Sequence, residues 1–234
     1  GAEDSDNYVI MFKVGSARNY SYLFDKSMYT TMWVAYPLCK FYTNGSVGRT
    51  EDWELDPLLG KNSSAPFGGY GGKYARGHQL PSADRQCSYE ANAQTFYGTN
   101  IIPQLGTHNT GVWGKLETQV RNIANKCDTA YVVTGGVVEG AKEISEDSDG
   151  KAITIPVAFF KAVLSYTKGG NPEWASAGFY TKHEGTGGSD VKSIAMTIDE
   201  LEQKLGMDFF VNLEGKIGKD QAAAVEAQDP AGLL

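Results

Sequence analysis

The stretch YARGHQLPSADR, residues 74–85, contains one of only three histidines in the chain, His78, placed between two arginines, Arg76 and Arg85. A neutral imidazole can accept a proton near pH 7, and guanidinium groups bind phosphate oxygens through paired hydrogen bonds. The same residues also suit a structural histidine and arginines that pair with nearby carboxylates. The stretch therefore predicts either a phosphate-directed catalytic site or a polar structural cluster.

The chain before this stretch reads as strands followed by a long loop. Residues 8–14 and 29–36 are dense in aromatic and β-branched side chains, which predicts two strands, the second ended by Pro37. Between about residues 44 and 76 the chain is rich in Gly, Ser, Asn and Pro. That composition predicts an irregular surface segment, and long segments of this kind are usually functional.

The chain after it alternates between helical and strand patterns. Residues 109–126 have apolar side chains at helical spacing, which leaves Arg121, Asn122 and Lys126 to face water. Strands are predicted over residues 129–138 and 153–166, with an interruption at Pro156. A mixed sheet follows from these patterns.

A short helix near the end has both boundaries marked. Thr197 is an N-cap residue, Glu200 completes a capping box, and Gly206 follows the last turn. The tail after Lys219 is rich in alanine and acidic residues and is expected to be a frayed helix or disordered.

Length and composition set the broad class. With 234 residues and 41% hydrophobic content, we expect one domain over residues 1–234. There is no run of about 18 apolar residues, so no membrane span is expected. The net charge of −7 opposes long-range attraction to polyanions, although the basic residues from Arg49 to Arg85 form a local positive patch.

The chain has three cysteines, Cys39, Cys87 and Cys127. They are too few for a disulfide framework and lack the spacing of a zinc ribbon, so they are interpreted as buried thiols, with one disulfide and one free thiol as the alternative. The acidic start, residues 1–7, has no basic or apolar leader segment and is interpreted as a trimmed mature terminus.

Several motifs in a fixed order resemble one family. RGHxxxSAD at residues 76–84 is followed by TFYGTNIIPQ at 95–104, then by Asn109 and by WGKLE at 113–117. This set resembles the DNA/RNA non-specific endonucleases. The resemblance implies an α+β fold: a single mixed α/β domain with a central, antiparallel-rich sheet and a ββα-metal (His-Me) finger over about residues 74–126.

The resemblance also implies a function and assigns roles. The expected activity is metal-dependent hydrolysis of DNA and RNA with little sequence specificity, in which His78 activates water. Asn109 would hold Mg²⁺, with Mn²⁺ as an alternative, and Glu117 would contact the water of the hydrated ion. Because Glu117 lies two helical turns beyond Asn109, direct ligation of one ion by both is not expected. Their structural alternatives are a helix N-cap for Asn109 and a solvated helix-face charge for Glu117.

The remaining site residues are assigned in the same way. Asn100 matches a residue that supports the active site, or else satisfies a turn before Pro103. Arg49 is the candidate to stabilise charge on the phosphate, although its spacing to Trp53 departs by two residues from the family pattern. Arg76 and Arg85 are further candidates for substrate binding.

The residue at position 75 departs from the family pattern, and this bears on the expected activity. The family usually has aspartate where this chain has Ala75. The alternatives to an active nuclease are therefore a silent nucleic-acid-binding relative and, on the strength of the 12% aromatic content, a secreted glycan-binding module. Because family members are often exported, a secreted or periplasmic location is expected.

Overall fold

The computed structural model describes residues 7–185 and 190–234. The strands, in chain order, are β1 (Asn7–Val14), β2 (Ala17–Asp25), β3 (Thr30–Leu38), β4 (Ala75–His78), β5 (Ile101–Gln104), β6 (Thr129–Val137), β7 (Ile144–Glu146), β8 (Ala152–Thr154), β9 (Ala158–Tyr166), β10 (Trp174–Lys182) and β11 (Ala195–Met196). The helices are α1 (Lys40–Thr43), α2 (Tyr89–Ala93), α3 (Gly106–His108), α4 (Gly114–Ala124), α5 (Ile198–Leu205), α6 (Leu213–Ile217) and α7 (Lys219–Glu226). A π-helical turn, Asn109–Trp113, joins α3 to α4.

A seven-stranded antiparallel sheet in the order β1-β2-β3-β6-β9-β10-β11 forms the centre of the molecule. Successive side chains of a strand point to opposite faces, and β9 is buried on both. Phe159 and Val163 belong to the core that includes Leu116 and Val120 of α4. Phe160 packs with α5 on the other face. The sheet therefore lies between two helical layers, as an α+β fold requires.

The antiparallel ribbon β4-β5 and helix α4 form the ββα unit expected around His78. The ribbon strands pair Ala75 with Gln104 and His78 with Ile101. Gly77 is required here, because a Cβ at that position would lie 2.5 Å from the Gln104 Oε1 atom. The close packing of the ribbon thus fixes the strand that ends in His78.

Several predicted boundaries were wrong. Pro37 does not end its strand but lies within β3, opposite Tyr131 of β6. The predicted strand over residues 153–166 is two strands in two sheets, β8 and β9, separated around Pro156. Strands β2 and β10 were not predicted. The loop from about residue 44 to 74 is irregular, as expected, and α5 has the predicted capping box and the left-handed Gly206.

The tail and the cysteines also differ from expectation. The first part of the tail is helix α7, Lys219–Glu226, whose Ala222 and Val225 pack against Leu164 and Trp174. The cysteines are half-buried free thiols. No helix in the described ranges has the length and apolarity needed to cross a bilayer. Residues 1–6 of the acidic start lie outside the described residues.

Candidate active site

The His78 ring lies in an aromatic pocket at the end of β4. It makes edge contacts with Trp53 and Phe96, at 5.5 Å and 4.9 Å between ring centroids. The Nε2 atom is buried and has no hydrogen-bond partner among the described residues. The hydrogen bond to the Arg76 backbone therefore involves Nδ1, which donates to the carbonyl and leaves the lone pair on Nε2.

The charge state of His78 follows from this pocket. Burial is the largest of the causes that lower the pKa of His78 to about 3; the positive charges of Arg49 and Arg76 add to this lowering, and the backbone hydrogen bond to Arg76 opposes it. The imidazole is therefore neutral at physiological pH. Its free Nε2 lone pair can accept a proton from a water molecule that enters the pocket.

Asn100 holds the chain immediately after His78. It is fully buried, and its Nδ2 donates to the backbone oxygens of Leu80, at 2.9 Å, and Thr95, at 2.8 Å. Its Oδ1 accepts from the Leu80 amide at 2.9 Å, and its own carbonyl accepts from the Gln79 amide at 2.9 Å. Because every side-chain atom that can bond is engaged within the protein, Asn100 supports the site and has no atom free for substrate.

Two arginines and a glutamate contact the aromatic rings that pack against His78. The Arg76 guanidinium lies 3.8 Å from the centroid of the Trp53 ring, and that of Arg49 lies 4.9 Å from the centroid of Phe96. Glu51 accepts hydrogen bonds from Arg49 Nε and, at 2.8 Å, from Trp53 Nε1. Although burial raises the pKa of Glu51, these hydrogen bonds and the arginine charges produce a net lowering.

The arrangement is a positive patch on an acidic protein. The side chains of Arg49 and Glu51 are each about half exposed, at 48% and 51%. An incoming phosphate oxygen can replace the Glu51 carboxylate on Arg49, because both are anionic acceptors. The sequence analysis did not predict that Glu51 and Trp53 hold the two arginines in place. The available signal was the spacing Arg-x-Glu-x-Trp over residues 49–53.

Asn109 lies in the π-helical turn, inside a helical segment. Its amide donates to the Leu105 carbonyl at 2.9 Å, so the N-cap interpretation was wrong. The next turn is distorted at Gly111, whose ψ is −122°. The Asn109 side chain is partly exposed and makes no hydrogen bond within the described ranges. π-Helical turns of this kind are often found at functional sites.

The two other histidines hold the segment that leads to Asn109. His108 is fully buried, and its Nδ1 accepts from Gln104 of β5 at 2.7 Å. His183 Nε2 accepts from the Leu105 amide at 2.7 Å, and its Nδ1 donates to the Pro156 carbonyl at 2.7 Å. These contacts tie the helix to both the ribbon and the central sheet. His108 therefore has a structural position and is not open to substrate.

Glu117 belongs to a group of charges beneath the site. Asp84 forms an ion pair with Arg121 at 2.9 Å and accepts a hydrogen bond from Tyr36 at 3.3 Å. Arg121 was expected to face water, but its side chain is mostly covered and donates to this buried carboxylate. Burial raises the pKa of Glu117; Lys161 opposes that shift, Asp84 adds to it, and Arg121 and Arg49 oppose it.

Arg85 does not lie with the other arginines. It is fully buried, and its guanidinium donates to the Asn19 side chain and to the backbone oxygens of Asn19, Asp84 and Pro37, at 2.5 to 2.9 Å. It also stacks on Tyr42, at 4.3 Å from the ring centroid. The expectation that Arg85 binds substrate is corrected here, since all its donating groups are used internally.

Another acidic group lies on α5 and α7, on the opposite side of the sheet. One carboxylate oxygen each from Asp199, Glu202 and Glu226 lies within 4.8 Å of the others. The pKa of Glu226 is raised to about 7, first by burial and then by the neighbouring acids. Among the described residues, this group consists of carboxylates alone, whereas the His78 site combines an imidazole with two arginines.

The chain resembles known nucleases in sequence. The sequence model of the DNA/RNA non-specific endonucleases matches residues 4–216. The chain is 28% identical over 206 residues to Nuclease EXOG, mitochondrial, of Xenopus laevis, which covers 84% of this chain and 58% of that protein. It is 29% identical to a nuclease of Nostoc sp., over 91% of this chain and 76% of that one.

A nuclease of Serratia marcescens is 28% identical over 226 residues, which cover 90% of this chain and 82% of the relative. The chain thus spans less than two thirds of the Xenopus protein and a larger share of the two bacterial ones. A chain in the crystal structure of the EndoG/EndoGI complex superposes with a TM-score of 0.67 at 19% identity, over 86% of this chain and 85% of that chain. This likeness confirms the predicted fold class.

Proposed function

Because the chain belongs to the DNA/RNA non-specific endonuclease family, we propose that it is a divalent-metal-dependent nuclease that hydrolyses phosphodiester bonds in DNA and RNA. The observation that carries this proposal is the buried, unpartnered Nε2 of a neutral His78, beside the guanidinium groups of Arg49 and Arg76. A base that is free to accept a proton next to two phosphate ligands is the equipment that phosphodiester hydrolysis needs.

His78 Nε2 takes the proton from the attacking water. The Arg76 carbonyl holds the opposite ring nitrogen, which fixes the tautomer and directs the lone pair into the pocket. Arg49 and Arg76 bind non-bridging phosphate oxygens and stabilise the charge that accumulates as the water attacks. Both arginines contact phosphate oxygens, which DNA and RNA share. Because phosphate contacts carry no sequence information directly, these contacts support low sequence specificity.

The donor chemistry of Asn109 fits a magnesium ligand. Its amide oxygen is a hard, neutral ligand that no described hydrogen bond engages, and magnesium keeps most of its waters and requires few protein ligands. Glu117, two turns farther along, would orient a water of the hydrated ion. When bound, Mg²⁺ would act as a Lewis acid for the charge on the phosphate and the leaving oxygen, and Mn²⁺ should substitute for it.

The test is cleavage of supercoiled plasmid and of a single-stranded RNA by purified protein with Mg²⁺, Mn²⁺ or EDTA. We expect metal-dependent cleavage of both, lost in His78→Ala by about 10²- to 10⁴-fold in kcat. Asn62→Ala, at an exposed position without a side-chain hydrogen bond among the described residues, serves as the matched control. Full activity of His78→Ala would reject the proposed mechanism.

The second candidate is a protein that binds nucleic acid without cleaving it. Ala75 lies opposite Gln104 in the ribbon, at the position where the family usually has aspartate. If the missing carboxylate is essential, the natural chain should bind DNA without cleaving it under any divalent metal. Ala75→Asp would then restore cleavage, whereas equal activity of both proteins would exclude this candidate.

Export to the extracellular space or periplasm is a separate proposal. It rests on the family resemblance alone. Some relatives carry names that place them in mitochondria, so membership of the family does not decide the compartment. Fractionation of the source cells with an antibody against the purified protein would decide it.

A further inference from the structure

Lys161 occupies an unusual position at the centre of the sheet. It lies in the middle of β9, between Phe159 and Val163 on the face that packs against α4. The residue is fully buried, and its Nζ has no hydrogen-bond partner among the described residues. A buried ammonium without a hydrogen-bonded partner is costly to the folded state unless a nearby opposite charge compensates it.

The groups around Lys161 identify that opposite charge. Its Nζ lies 5.0 Å from the centroid of the Trp113 ring, and Glu117 follows Trp113 by four residues along the helix. Residues four apart lie on the same helix face, so the carboxylate of Glu117 is the next group along the face that Lys161 contacts. Lys161 and Glu117 also act on each other electrostatically, each favouring the charged form of the other.

The other charges facing this position are already paired or lie on the far side of Glu117. Asp84, from the turn after β4, pairs with Arg121 of α4 and with the hydroxyl of Tyr36 from β3. Arg49 acts on Glu117 from the loop side. Within the described ranges, Lys161 and Glu117 are thus the two charges of the group without a hydrogen-bonded partner.

We propose that Lys161 is a positioning residue that favours the ionised form of Glu117, so that the carboxylate can orient the water of the metal ion. This inference rests on the proposed function of Glu117. Lys161 does not touch substrate, because its amine lies beneath the helix and has no exposed surface. Burial lowers the pKa of Lys161, while the negative charge of Glu117 raises it and so favours the charged amine inside the core.

The first test uses metal-free protein and does not depend on activity. The carboxyl carbon of Glu117, assigned with Glu117→Gln, is titrated by NMR in the natural protein and in Lys161→Met. We expect the midpoint to rise by one pH unit or more in Lys161→Met, since an adjacent opposite charge commonly shifts a carboxyl by that much. Lys204→Met is the control: it removes an exposed lysine that lies over Tyr180.

The second test is the pH profile of plasmid cleavage under saturating Mg²⁺. The acidic limb of kcat should move upward in Lys161→Met, so that kcat at a fixed pH on that limb falls about ten-fold for a shift of one pH unit. KM for DNA should change less than about two-fold, because phosphate binding by the arginines is untouched. In a Glu117→Gln background, Lys161→Met should have no further effect.

The outcomes separate the two proposals. An unchanged Glu117 midpoint, or a Lys161→Met effect that persists in Glu117→Gln, would overturn the role of Lys161. A shifted midpoint in a natural protein that cleaves neither DNA nor RNA would support the pairing and reject the nuclease. Lys161→Gln, which keeps a polar end, replaces Lys161→Met in all arms if the apolar variant does not fold.

Discussion

Replacing Asn100 with alanine tests whether this residue acts as a clamp behind His78 or contributes to the chemistry. Its side chain makes three hydrogen bonds, all to backbone groups of Leu80 and Thr95, in a position with no exposed surface. Asn100→Ala leaves one amide and two carbonyl groups without those partners. We therefore expect a large loss of stability together with a loss of activity.

The magnitude follows from the desolvation of those three groups. Each buried backbone group left unsatisfied costs about 1–3 kcal/mol, and because relaxation makes such costs less than additive, the total should be about 3–5 kcal/mol. With a urea m-value of roughly 2 kcal/mol/M, the unfolding midpoint should fall by about 2 M. Displacement of His78 by about 1 Å should lower kcat by about 10²-fold.

Urea unfolding followed by tryptophan fluorescence, with kcat from plasmid cleavage in the same buffer, measures both effects. Asn62→Ala, exposed and without a side-chain hydrogen bond in the described structure, is the matched control and should leave both values nearly unchanged. A loss of stability below about 1 kcal/mol in Asn100→Ala, with a large loss of kcat, would refute the clamp. Asn100 would then take part in the reaction directly.

Three further predictions concern charged groups. Burial lowers the pKa of His78 to about 3 and that of His108 to about 4. Because both rings are protonated more readily in the unfolded chain, the free energy of unfolding should fall as the pH drops below about 6.5. Thermal unfolding should show a less steep fall in His78→Gln. Glu51→Gln removes the internal competitor for Arg49, so KM for DNA should fall by about 2- to 5-fold at low salt, and an unchanged KM would contradict this. Arg85→Met should lower the urea midpoint and leave KM of the folded enzyme unchanged; the reverse pattern would restore a substrate role.

The parts of the fold that could be predicted from the sequence are those with strong local signals. The capping box at Thr197 and the left-handed Gly206 define α5 through contacts within a few residues, and the structure agrees. The role of Pro37 was misjudged, because proline is tolerated where the strand needs no amide donor, and that depends on the register with β6. Strands β8 and β9 were predicted as one strand interrupted at Pro156, because an apolar run does not reveal that its two parts belong to different sheets.

For the candidate site, too, the features set by nearby residues could be predicted, and those set by residues distant in sequence could not. The position of His78 on the ribbon and that of Asn109 ahead of α4 could be predicted, because each stands in a short ordered motif and the ribbon and helix are close in sequence. Their catalytic and metal-binding roles stay predictions. Arg85 stands in the same motif as Arg76, yet it turns inward to Asn19, 66 residues away, and no pattern in the motif distinguishes the two arginines. Sequence spacing thus indicated where the candidate site lies, but it did not show which basic side chains are exposed there.

The groups that set the charge of the site come from the most distant elements. Glu117 is on α4, while Lys161 is on β9 and Asp84 is on the turn after the His78 strand. One signal for Lys161 was present in the sequence: a lysine in the middle of the run AFFKAVLSY, whose other residues suit a buried strand. A lysine buried in such a run costs stability, and its position next to α4 is explained if it acts on Glu117 of the candidate site. On this argument Lys161→Met should be neutral or stabilising below the pH at which Glu117 ionises, and impaired only in the function that needs the carboxylate.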